Sequence, residues 1–175
     1  VPFVIRELQP EDFETLWRID QDCFPAGISY SRAELKTYMR RSGAFTLVAV
    51  NAGSNPRDRA DAKESKRNVS PESSSEASVV GFIVAEADKR VSGHIVTIDV
   101  IKDARRFGVG SLLLRRAEDR LRAADCSVVE LETAVDNLSA LSFYKRHAYS
   151  VTSTFPRYYS NGVDALVLQK DLAQK

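Results

Sequence analysis

The chain has 175 residues, 43% of them apolar, which suffices for one domain around a single core. Its 25 basic and 24 acidic residues leave a formal charge of +1, so nothing in the overall charge draws it to nucleic acid or to an anionic membrane. Cys23 and Cys126 have no metal-type spacing and make no disulfide framework; no metal is expected, and a reducing cytoplasm fits.

The opening VPFVIREL lacks the flanks of a signal peptide and no apolar run reaches membrane length, so one domain over 1–175 is expected. FVIREL alternates and predicts a first strand. Pro10 opens a helix where its missing N–H costs nothing, and Glu11 and Asp12 suit the dipole there. Phe13, Leu16, Trp17 and Asp20 share one face of it. After the loop CFPAGISY, Ser31 and Glu34 form a capping box for a second helix, with Leu35, Tyr38 and Met39 inward. AFTLVAV (44–50) and VVGFIVAE (79–86) read as strands. Between them, Asn51 to Ser78 holds too little apolar surface to offset the cost of ordering it, and predicts a long, mobile hairpin insert.

HIVTIDV (94–100) predicts the next strand, then comes a helix from about Gly108 to Ala124 and a strand SVVELET (127–133). Asp136 and Asn137 can cap a short helix through His147, and YSVTSTF and ALVLQKD close the chain as paired strands. The order is β-α-α-β-β-β-α-β-α-β-β. Its central strand–helix–strand unit requires one parallel pairing in an otherwise mostly antiparallel sheet.

The stretch ARRFGVGSLLL carries the first chemistry. Gly108 and Gly110 let backbone amides approach a ligand, at a helix N-terminus whose unpaired N–H groups favour an anion, with Arg105 and Arg106 alongside. A plain strand-to-helix turn with solvated arginines is the alternative. No Lys-Ser/Thr follows for a P-loop, and Leu113 occupies the third glycine position of a dinucleotide fingerprint.

IDVIKDARRFGVGSLLL resembles the acetyl-CoA motif of the GNAT acetyltransferases, Arg/Gln-x-x-Gly-x-Gly/Ala, with Arg105, Gly108 and Gly110 matching. LETAVDNLSALSFYKRHAY (131–149) resembles a block of that family's RimI-like branch, the protein N-terminal acetyltransferases, with Glu132, Asn137, Ala140 and Tyr144 at matching positions. CFP, GHIVTIDV and RYYSNGVDALVL are similar to further blocks in the same order. Four positions depart. Ala134 replaces an arginine, Asp99 stands where relatives often carry a small residue, and Ala148-Tyr149 replaces Gly-Phe, implying a different turn after the last helix.

The resemblance implies an α/β fold with a mixed sheet of about seven strands, about four helices and a parallel pair at the cofactor site. It implies acetyl-CoA as co-substrate, held by Arg105, Arg106, Phe107, Gly108, Val109, Gly110 and Ser111, with its pantetheine along Ile98, Asp99 and Val100. The Val100 amide would polarise the thioester and Asn137 and Tyr144 would contact the cofactor. Glu132 becomes the general base and Tyr144 the proton donor to the thiolate. By alternation alone Glu132 is an exposed strand residue, and Tyr144 by its helix face is a core residue. His94 and His147 read as surface or capping residues, His147 at a helix end that suits a cation. Phe24, Pro25, Ile28 and Tyr30 on one loop, with Tyr158 and Tyr159 on another, are expected to clamp a peptide end. A protein N-terminus, ribosomal or other, is the expected acceptor of a cytoplasmic monomer or weak dimer. Neutralising an α-amine costs roughly 3 kcal/mol less than neutralising a lysine. A small amine as acceptor, and a non-catalytic acyl-CoA-binding module, are the alternatives.

Overall fold

Among the described residues, seven strands and four α-helices follow one another in the predicted order. The computed structural model describes residues 3–52, 78–88 and 91–173, so the expected insert lies outside the described residues except for Asn51, Ala52 and Ser78. Strand β1 (Phe3–Glu7) leads through a 3-10 turn (Pro10–Asp12) into α1 (Phe13–Cys23) and α2 (Arg32–Met39). The Ser31–Glu34 capping box starts α2, each side chain accepting the other residue's backbone N–H. Strands β2 (Ala44–Asn51), β3 (Val79–Ala87) and β4 (Ser92–Val100) precede α3 (Val109–Ala123). Then come β5 (Val128–Ala134), α4 (Leu138–Arg146), β6 (Ser150–Phe155) and β7 (Ala165–Asp171).

The sheet order is β1-β2-β3-β4-β5-β7-β6, antiparallel except between β4 and β5. Each face buries one apolar cluster. On one side Leu113, Leu114, Ala117 and Leu121 of α3 and Tyr144 of α4 cover Ile83, Ile95, Leu131 and Leu168. On the other, Leu16, Ile19 and Leu35 of α1 and α2 cover Val48, Phe82 and Val84. Arg115, Arg116, Arg120 and Arg122 line the solvated side of α3, as their spacing predicts. Glu118 of that helix is buried, accepting from Tyr149 Oη (3.0 Å) and Lys170 Nζ (2.7 Å). Among the described residues no helix is long and apolar enough to cross a membrane.

Two local readings need correction. Asn137 alone supplies the side-chain cap of α4, its Oδ1 accepting from Ala140 N–H at 3.2 Å; Asp136 supplies none. The turn after α4 is the left-handed one that a glycine would make, with Ala148 at φ 66°. Tyr149 N–H reaches Tyr144 O (3.0 Å) and Ala148 N–H reaches Lys145 O (3.1 Å), the paired bonds of a Schellman motif. These bonds and the burial of Tyr149 outweigh the strain at Ala148.

Candidate active site

The site forms where β4 and β5 part. Their pairing runs from Ser92↔Val128 to Ile95↔Leu131, and among the described residues goes no further. Val96 is a surplus residue against β3, since Ile95 faces Ala85 while Thr97 already faces Val84. Beyond this bulge the strands diverge into a fork. Ile101 N–H donates to Val80 O (2.9 Å), which fixes the ladder's alternation. The amides of Asp99 and Ile101 therefore turn to β3, and those of Ile98 and Val100 turn into the fork.

The first turn of α3 lies beyond the fork's open end. Gly108 precedes it at φ 84°, among the described residues no side chain caps the helix, and the amides of Val109, Gly110 and Ser111 lack intrahelical partners. A Cβ on Gly110 would stand 3.5 Å from the Phe143 ring, an ordinary contact, and one on Gly108 would meet nothing. Val109 buries its side chain, while Arg106 and Phe107 are exposed, Phe107 to 68%. Arg105 turns away from the helix tip; its Nε donates to Val100 O (2.9 Å) and its Nη2 to Cys23 Sγ (3.4 Å). Ser111 Oγ lies 2.9 Å from His147 Nε2, and burial holds that imidazole below its usual pKa, contrary to the cation expected there.

Glu132 is the first β5 residue past the last β4 pair. Its Oε2 lies 2.7 Å from His94 Nε2, and His94 Nδ1 lies 3.6 Å from Glu86 Oε1, itself 3.4 Å from Arg41 Nη1. Burial pulls the His94 pKa down, but the Glu132 hydrogen bond and the charges of Glu132 and Glu86 outweigh it and raise the net value. His94 thus joins the site, although its residue type and strand-start position read as surface. Only the parallel register, His94↔Glu130, brings it within reach of Glu132.

Tyr144 is buried on α4, packed edge-on to Phe143 and Tyr149 at 5.2 and 5.4 Å. Burial, then the nearby Asp99 charge, raise its pKa, so its phenol keeps its proton. Asn137 directs its Oδ1 to the α4 cap.

The two aromatic loops meet over the α1/α2 face of the fork. Ser160 Oγ donates to Gly27 O (3.0 Å), and a Cβ on Gly27 would stand 2.8 Å from that of Asn161. Tyr30 is anchored, its phenol donating to Val96 O (3.3 Å) and its N–H to Asp20 Oδ2 (2.8 Å). Phe24 and Ile28 are half-buried, Pro25 is exposed, and Tyr158 and Tyr159 pack edge to face at 5.0 Å. Burial raises the pKa of both phenols, and the Glu132 charge adds to it. The site therefore offers an uncapped helix tip for an anion, free amides in a fork, a carboxylate–imidazole pair and a protonated phenol. No metal-holding group of three or more His, Cys, Asp or Glu occurs among the described residues.

A family model described as acetyltransferase (GNAT) family matches residues 13–149. An uncharacterized N-acetyltransferase of Methanocaldococcus jannaschii is 37% identical over 93 residues, which span 53% of this chain and 59% of that protein. N-alpha-acetyltransferase 30 of Homo sapiens is 37% identical over 94 residues, spanning 51% of this chain and 26% of that one. Both matches therefore cover less than two thirds of the relative. The crystal structure of Ard1 from Thermoplasma volcanium superposes with a TM-score of 0.76 at 28% identity, covering 98% of each chain.

Proposed function

The chain belongs to the GNAT acetyltransferase family, and on that premise we propose that it transfers the acetyl group of acetyl-CoA to the α-amine of a protein N-terminus. The observation that carries this is the fork, which sets two free strand amides beside a carboxylate–imidazole pair. The uncapped amides of Val109, Gly110 and Ser111 fit the cofactor's diphosphate, and the Phe143 contact shows that the protein itself leaves room above Gly110. The Val100 amide polarises the thioester carbonyl as it becomes an oxyanion, a role supported by its turning into the fork. Glu132, directly or through a water, accepts the amine proton while His94 shares the charge. Tyr144 gives its proton to the departing thiolate.

The acceptor class rests on the likeness to proteins named N-alpha-acetyltransferase and Ard1, and on the two aromatic loops that meet where Ser160 bonds to Gly27. A RimI-type ribosomal acceptor is one member of this class. The test is incubation with acetyl-CoA and a library of free N-terminal peptides, read by mass spectrometry. N-acetylated peptides are expected; turnover of free small amines with no peptide modified would overturn the acceptor.

A further inference from the structure

A row of charged side chains runs from the reacting pair to the surface, and the mechanism above leaves its outer half unused. Glu86 and His94 are direct partners across β3 and β4, and Glu132 stands two residues past Glu130, the partner of His94 on β5. Direct partners, and residues two apart, share one face of a sheet; here it is the face under α1 and α2, where Val84 of β3 also lies. The imidazole therefore sits between two carboxylates. Its Nε2 is 2.7 Å from Glu132 Oε2, and its Nδ1 is 3.6 Å from Glu86 Oε1. The same Glu86 oxygen is 3.4 Å from Arg41 Nη1, and the Arg41 guanidinium stacks on Tyr38 at 4.2 Å. Arg41, Ser42, Glu86 and Asp88 line a surface cavity of about 320 Å³, so the outer end of the row meets solvent. Among the described residues, Glu130 also adjoins His94 on this face, but its Oε1 accepts from Gln169 Nε2 at 2.9 Å. Tyr158 and Tyr159, from the loop between β6 and β7, keep their protons and add no charge.

The two ring nitrogens have different neighbours, and that divides their work. A neutral imidazole carries one proton, and the shorter contact keeps it on Nε2, donated to Glu132. The proton that comes and goes is the one on Nδ1, across from Glu86. While it is present, the imidazolium offsets the Glu132 charge and weakens that carboxylate as a base. Building on the acetyl-transfer reading, we propose that Glu86 is a positioning residue that governs when Glu132 can act: it holds the Nδ1 proton of His94 at the edge of the cavity, and Arg41 limits that hold by drawing on the same oxygen. The step is a proton exchange. The Nδ1–H bond breaks, its electron pair stays on the ring, and the proton passes by way of Glu86 to water. Glu132, now facing a neutral ring, is free to take the amine proton as the N–C bond forms. The balance at His94 agrees, since Glu86 raises its pKa and Arg41 lowers it.

Glu86→Gln keeps the size of the side chain and removes its charge. The acidic limb of kcat/KM should then move about one pH unit to lower pH, with the KM for acetyl-CoA unchanged. Arg41→Met should move the limb the other way, because the Glu86 charge is then unopposed. Glu86→Asp, which restores the charge, should bring the limb back toward its wild-type position. Independently of turnover, NMR can titrate the two histidines in the free protein. His94 should lose its proton at lower pH in Glu86→Gln and at higher pH in Arg41→Met, while His147 stays where it was. A reduced rate with the limb in place, shifts of the same sign in both variants, or a His94 titration that neither change moves would each overturn the inference. Titrations that move as expected in protein that acetylates no amine would overturn the acetyl-transfer reading and leave the coupling of Glu86 to His94 standing.

Discussion

His94 Nε2 stands 2.7 Å from Glu132 Oε2 across the point where β4 and β5 part. Glu132 and Glu86 hold a proton on His94 beyond the ordinary imidazole range, and the site works as a base only after that proton is lost. Rising pH should therefore increase kcat/KM, with an apparent pKa above the ordinary imidazole value. Glu132→Gln should lower kcat by about a hundredfold. It should also move the remaining acidic limb to lower pH, because burial then governs His94 with its hydrogen-bonded anion gone. A pH–rate profile of both proteins checks the shift, and an unmoved limb excludes the coupling.

Gly110→Ala separates folding from cofactor binding. The new methyl meets Phe143 at 3.5 Å, a distance that needs no rearrangement, so the melting temperature should stay within a few degrees. Any weakening of acetyl-CoA binding then comes from the ligand side of the turn. Calorimetry should show at least tenfold weaker binding, and unchanged affinity would remove the diphosphate from this helix tip.

Ala148→Gly should stabilise the protein by about 1 kcal/mol, since glycine enters the left-handed region without the Cβ clash that alanine bears at φ 66°. Urea denaturation measures it. Because the Schellman bonds remain, the slope against denaturant should not change.

Asp20 makes stability depend on pH in the direction opposite to a salt-bridged carboxylate. Its pKa is raised from 3.8 to about 6, so the folded state binds the proton more tightly than the unfolded chain. That contribution is complete below pH 3.8 and is lost as pH climbs through about 6. It amounts to roughly 3 kcal/mol, and Asp20→Asn should flatten the fall. Stability curves between these pH limits that coincide for the two proteins would contradict the assignment.

Element order, the capping box at Ser31 and the glycine turn at Gly108 were legible because each depends on residues within a few positions of one another. The His94–Glu132 contact was not, because it depends on which strands become neighbours, in which direction, and on the offset His94↔Glu130. Nor could composition reveal that Asp20 is wholly buried. An acidic residue among Phe13, Leu16 and Trp17 reads equally as the edge of a helix face, and only the covering loop with Tyr30 N–H seals it. Ala148 misled for a related reason: local preference forbids the left-handed turn, and the tertiary seat of Tyr149 beside Glu118 imposes it.

The surplus residue Val96 bends β4 while the pairs before and after it stay in step with β3. It packs among the side chains beneath α1 and α2, and Thr97 and Asp99, opposite Val84 and Phe82, stay on that same face. Removing one residue here would leave the strand long enough to cross the sheet. It would also straighten the bulge, leaving Ile95 opposite Ala85 and Thr97 opposite Val84 as adjacent pairs, so every later side chain keeps its face. A deletion of one codon at this point would thus take away the bend that parts β4 from β5, with every catalytic side chain still in place.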